Sequence, residues 1–176
     1  MYPNTLQCIE KPKAPALNLS EVKEFLKITH DEENNILISL IEAVTNKCER
    51  YTAKALIFQT WQVSYRQFAR ISLTLPIKPA HKIENITLVD HQGEERNFDA
   101  IHYKLFPHEN EIYFKHVPHC YLMRVEYLAG FGATFASIPP SLKMIMLTHL
   151  AHTYVHRESE REFPINRYDE FITKRL

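Results

Sequence analysis

Glycine is scarce in this sequence: there are three in 176 residues, and two of them, Gly130 and Gly132, fall within a single stretch. A phosphate-cradling loop is excluded by that poverty. Gly130-x-Gly132 lacks the third glycine and the acidic partner of a dinucleotide fold, and it leads into a proline helix start. Excess charge is lacking too. Lysine plus arginine and aspartate plus glutamate each number 21, so no global field draws the chain toward nucleic acid or an anionic membrane, and little repulsion opposes association. The three cysteines, Cys8, Cys48 and Cys120, are odd in number and scattered, which argues against a disulfide framework and suits a reducing cytoplasm. No apolar run is long enough to span a bilayer and no signal-peptide pattern opens the chain, so we expect a soluble protein made and used inside a cell, with no membrane partner. No G-x-S-x-G elbow surrounds Ser141, which reads as a helix-start residue. The pairs Glu32-Glu33 and Glu94-Glu95 are sequence neighbours whose side chains point apart, as solvated surface does. The length suits one well-cored domain over 1–176.

What is present is patterned. Residues 1–17 carry Pro3, Pro12 and Pro15 and read as an extended arm. Residues 18–56 are helical. Leu19, Val22, Phe25 and Leu26 recur at helical spacing with Ser20 available as N-cap, and Thr29 and Glu32 are spaced as a capping box for a second helix. That helix carries one apolar stripe, Leu37, Leu40, Ile41, Val44, Cys48 and Tyr51. From 57 to 128 the period drops to two, as in Trp61, Val63 and Tyr65, and again in Ile71, Leu73 and Leu75, with turns near Asp90–Gly93 and Pro107–Asn110; this is a block of short antiparallel strands. The last strand delivers the chain to Gly130, and Pro139-Pro140-Ser141 opens a long helix over 139–158.

The predicted architecture is α+β: N-terminal helices and a long C-terminal helix forming a helical body, an inserted block of short antiparallel strands, and a C-terminal tail. The long helix is apolar nearly all round and is expected to pack on the second helix. Its surplus apolar surface, including Met144, Leu147 and Tyr154, predicts a subunit or partner contact. The tail over 159–176 keeps Phe163, Tyr168, Phe171, Ile172 and Leu176, too apolar for a solvated tail, and is expected to dock on a neighbour.

Two histidine groups could carry chemistry. His149, His152 and His156 lie at i, i+3 and i+7, within reach of a shared metal, and His116, His119 and Cys120 form an H-x-x-H-C cluster. A small metal-binding protein or enzyme built on them is the alternative reading. No acidic residue completes an H-E-x-x-H spacing, and packed or hydrogen-bonded imidazoles are the plainer account, so no metal, cofactor or catalytic residue is assigned. Trp61, Tyr65 and Phe68 lack interleaved basic residues and read as core or interface, not as a stacking platform for nucleic acid.

Two stretches resemble the head–tail connector, or adaptor, proteins of long-tailed double-stranded DNA phages, prophages and gene transfer agents. Cys48-Glu49-Arg50-Tyr51-Thr52-Ala53-Lys54-Ala55-Leu56-Ile57-Phe58-Gln59-Thr60-Trp61 is similar to that family's E-x-Y-T-G-R-A-L-I-x-Q-T-W passage. Tyr127-Leu128-Ala129-Gly130-Phe131-Gly132, followed by Ile138-Pro139-Pro140-Ser141-Leu142-Lys143, is similar to its F-x-A-G-Y-G … V-P-x-x-L-K junction, with Tyr154 and Arg157-Glu158 matching the end of the long helix. Ala53 stands where the family has glycine, which predicts that the second helix runs on a little instead of closing in a left-handed cap. The resemblance implies a structural, non-enzymatic role. It implies self-assembly into a ring, usually twelvefold, beneath the portal protein; contact with tail or stopper proteins; passage of double-stranded DNA without sequence-specific binding; and a place in the virion neck after assembly in the bacterial cytoplasm.

Overall fold

The computed structural model describes residues 3–157 and 162–172. The chain divides into two compact units: one runs to Pro12 and takes in Phe58–Gly130, and the other holds Lys13–Ile57 and the described residues from Phe131 onward.

The first unit is two antiparallel sheets. The larger has the order β1(Thr5–Glu10), β2(Gln59–Arg66), β8(Leu122–Ala129), β4(Ala80–Val89), β5(Glu95–Asn97); the smaller is β3(Ser72–Thr74), β7(Glu111–Phe114), β6(Tyr103–Phe106). The central strand β8 shows why these residues choose a sheet. Met123, Val125, Tyr127 and Ala129 alternate buried against half-buried Leu122, Arg124, Glu126 and Leu128. Across it, Val125 faces Val63 on β2 and Ile86 on β4, so the register gathers the buried apolar side chains of the three strands on one face. Tyr127 is fully buried, and its hydroxyl accepts the Ile77 amide at 3.0 Å. Asn110, at φ +56°, closes the β6–β7 turn; its side-chain oxygen accepts from the Ala80 amide at 2.7 Å and its carbonyl from the Leu75 amide at 2.8 Å.

The second unit packs α1(Leu19–Leu26), α2(Asn34–Thr52) and α3(Pro140–Val155) around one core. Leu37, Ile41, Val44 and Cys48 of α2 meet Leu142, Met146 and Leu150 of α3, the pairing that the apolar stripes predict. The caps differ from expectation. Asn18, not Ser20, caps α1 through its side chain, and α2 begins at Asn34 behind Glu33 with no side-chain cap, so Thr29 and Glu32 form no capping box there. Ala53 does adopt the left-handed cap, at φ +53°, and α2 stops at Thr52. The next amides need new acceptors, and the Glu49 carboxylate accepts the Leu56 N–H at 2.8 Å, which stabilises the turn without a glycine.

The expected layout of a helical body with a long C-terminal helix and an inserted strand block does not form. The third helix has 16 residues, fewer than the 19 of α2, and ends at Val155. Its apolar face runs out there, and Tyr154 and Arg157 tie the last turn back to Glu33. The strands outweigh the helices in number. Strand β1 precedes every helix and pairs with β2, because Thr5–Glu10 is free of proline, whereas Pro3, Pro12 and Pro15 lie outside it. The fold is therefore α+β with short helices and a sheet-rich block of two antiparallel sheets.

Candidate connector surface

Both motifs singled out in the sequence straddle the points where the chain passes from one unit to the other, Ile57–Phe58 and Gly130–Phe131. Gly130 sits at φ +138°, a backbone state that a side chain disfavours, and its N–H donates to the Pro79 carbonyl at 2.9 Å. On the helix side the Phe131 amide donates to the Leu56 carbonyl at 3.3 Å, so the second unit holds its two entry points side by side. Gly132 is required for space: a Cβ there would overlap Cβ and Oγ of Ser137. The glycines thus serve turn and packing.

The predicted interface residues divide by burial. Leu147, Phe163 and Tyr168 lie in the core of the second unit. Met144 is 54 % exposed, and Val155, which sequence reasoning did not select, is 69 % exposed. Thr148 and Ala151 lie between them at spacings of four, three and four, so the four residues follow one side of α3. The Thr148 hydroxyl donates to the Met144 carbonyl at 2.8 Å, which satisfies the only side-chain polar group along that line. Tyr154 is half-buried; its hydroxyl donates to Glu33, whose carboxyl this bond, then the Arg157 guanidinium, holds below the usual range.

The tail closes on its own unit as far as it is described. Ile165–Phe171 is a 3-10 helix, and Phe171 and Ile172 are half-buried. The Tyr51 hydroxyl donates to Asp169 at 2.6 Å. Leu176 lies outside the described residues.

The histidines of α3 are explained by that closure. His149 is 2 % exposed, stacks on Phe163 with ring centroids 4.2 Å apart and planes 11° apart, and shares a 3.0 Å hydrogen bond between Nδ1 and the Tyr168 hydroxyl. Burial, with Lys47 and His152 nearby, pushes its pKa down to about 4; burial likewise raises Tyr168. His152 packs against His156 at 4.5 Å and edge-on to Phe163. In the other cluster His116 and His119 are exposed and Cys120 is half-buried, its thiol pushed up by burial. Among the described residues, no three histidine, cysteine, aspartate or glutamate side chains converge as metal ligands.

This fold recurs along nearly its whole length in chains of gene transfer agent (GTA) particles. One solved chain, from the neck of an empty GTA particle computed with C6 symmetry, is 23 % identical, with a TM-score of 0.82 and coverage of 98 % of this chain and 97 % of that one. A chain from the virion of a native gene transfer agent particle matches with the same values. A chain from the neck of a native GTA particle computed with C12 symmetry is 24 % identical at a TM-score of 0.79, with the same coverage. No curated protein sequence matches. The family model of phage gp6-like head-tail connector proteins matches residues 17–103, from the first helix to the start of β6, so this part of the chain is similar to that family.

Proposed function

We propose that this chain is a structural head–tail connector: copies of it form a ring, twelvefold when assembled, beneath the portal of a phage or phage-like particle and link the DNA-filled head to tail or stopper proteins. The observation that carries the reading is the family match, joined to a fold shared with neck chains over nearly the full length of both partners. Net charge of zero suits a channel wall, since a strongly basic wall would grip the passing phosphates. The function is scaffolding, without catalysis. The Met144–Val155 line of α3 is the surface we assign to contact with a neighbouring subunit or with the portal; Leu176, also expected at such a contact, lies outside the described residues. The particle neck is the site of action and the bacterial cytoplasm the site of assembly. A metal enzyme built on His149 is disfavoured, because that imidazole is enclosed by Phe163 and Tyr168.

Incubating the purified chain with portal-bearing heads and imaging the portal vertex tests this reading. Added ring density coaxial with the portal is expected; heads with a bare vertex at saturating protein would overturn it.

A further inference from the structure

The β6–β7 hairpin carries opposite chemistry at its two ends. At its base, between the strand ends and the 116–119 loop, lies a cleft of about 320 Å³. Its lining carries the Arg96 guanidinium and the hydrogen-bonding imidazoles of His102, His116 and His119, together with apolar Leu88 and Pro118. Arg96 donates to the His119 carbonyl at 3.1 Å, which holds the guanidinium at the rim while engaging one of its five N–H donors. The imidazoles of His102 and His116 meet edge-on at 5.0 Å. The acidic member of the lining, Asp99, is committed to its own backbone and accepts the Ile101 amide at 3.0 Å. The cleft is therefore shaped for a carboxylate carried on a partly apolar segment.

The hairpin tip supplies such a segment. Glu109 is exposed, and its carboxylate makes no hydrogen bond or ion pair among the described residues. Beside it Phe106 and Tyr113, 36 % and 40 % exposed, pack edge-on at 5.1 Å. The Asn110 hydrogen bonds hold the tip in one conformation, so little ordering entropy would be lost on docking. Tip and base are separated by four residue pairs, Tyr103–Phe114 to Phe106–Glu111, roughly 10 Å at strand rise, so one chain cannot bring its own tip into its own cleft.

Resting on the ring reading above, we infer that the Glu109 tip of one copy seats in the Arg96–His102–His116 cleft of the next. Such a contact joins two different surfaces, the head-to-tail kind that closes into a ring when the rotation between copies divides a full turn. Charge reversal tests it. Arg96→Glu and Glu109→Arg are each made in the full chain, alone and together, with thermal unfolding as a check that the exposed substitutions leave the fold intact. Self-association is followed by sedimentation over a concentration series and by ring formation on portal-bearing heads. Each single reversal is expected to weaken association about tenfold or more, and the double swap to restore most of it. Rings that form undiminished in either single variant would overturn this contact and leave the ring reading standing, as would loss with Arg96→Glu alone, which would mean an acidic segment from another protein. A wild-type chain that forms no ring in either assay would overturn both.

Discussion

Lowering the pH should destabilise the second unit through one side chain, His149. In the unfolded chain an imidazole titrates at about 6.5, whereas burial holds His149 near 4 in the fold, so between those values the unfolded state binds a proton that the folded state refuses. Above pH 6.5 the residue has no effect on the balance; as the pH falls through 6.5 stability is lost, and below about 4 the loss levels off. The gap of about 2.5 units corresponds to a total of about 3 kcal/mol, of which about 2 kcal/mol is gone by pH 5. The sequence holds nine other histidines, so the test is a difference between two proteins. Replacing both members of the buried pair, His149→Phe with Tyr168→Phe, removes the titrating group without orphaning the hydroxyl, and costs little at pH 7.5. Urea unfolding at pH 7.5 and 5.0 should show the wild type losing about 2 kcal/mol more than the double variant. Equal losses in the two proteins would refute the buried, neutral His149 on which the α3–tail packing is argued.

Three further outcomes follow from the same geometry. Ala53→Gly should raise stability by about 0.5–1 kcal/mol in denaturant unfolding, since alanine at φ +53° bears a strain that glycine does not. Gly132→Ala should lower the melting temperature through a cost of about 1–3 kcal/mol, and Ser137→Gly in the same chain should recover most of it, because the overlapping atoms are the Ser137 side chain. Met144→Glu should leave unfolding of the isolated chain unchanged within about 0.5 kcal/mol, as the residue is 54 % exposed, yet reduce ring formation on portal-bearing heads as seen by electron microscopy.

Much of this was legible in the residues, for physical reasons that also mark where legibility ended. The stripe from Leu37 to Cys48 and the alternation along β8 each have one period and one buried face, and both elements formed where that pattern lay. Pro140 at the first turn fixed the start of α3 for the same local reason. The end of α3 depended on Tyr154 and Arg157 reaching Glu33, more than 120 residues earlier, and no local signal announces that. Ala53 misled because an acceptor seven residues before Leu56, the Glu49 carboxylate, supports a left-handed turn that composition alone assigns to glycine. Strand β1 hid among prolines. Its pairing with β2 joins residues 50 or more apart, as Glu10 with Thr60, and is set by the partner as much as by its own pattern. Helical spacing brings the α3 histidines to one side, and packing was their plainer account; Phe163 and Tyr168, which enclose His149, come from a segment whose approach the sequence does not encode locally. The exposed residues of α3 were separable from the buried ones only once the tail was in place, since Leu147 and Met144 are equally apolar in sequence.

The central claim is that this chain completes a neck. Electron microscopy of portal-bearing heads mixed with the purified chain addresses it directly. The account predicts a ring of this chain seated on the portal axis, with the same number of subunits on every occupied head. Portal vertices that stay bare at saturating protein, or chains bound without rotational order around the axis, would contradict it.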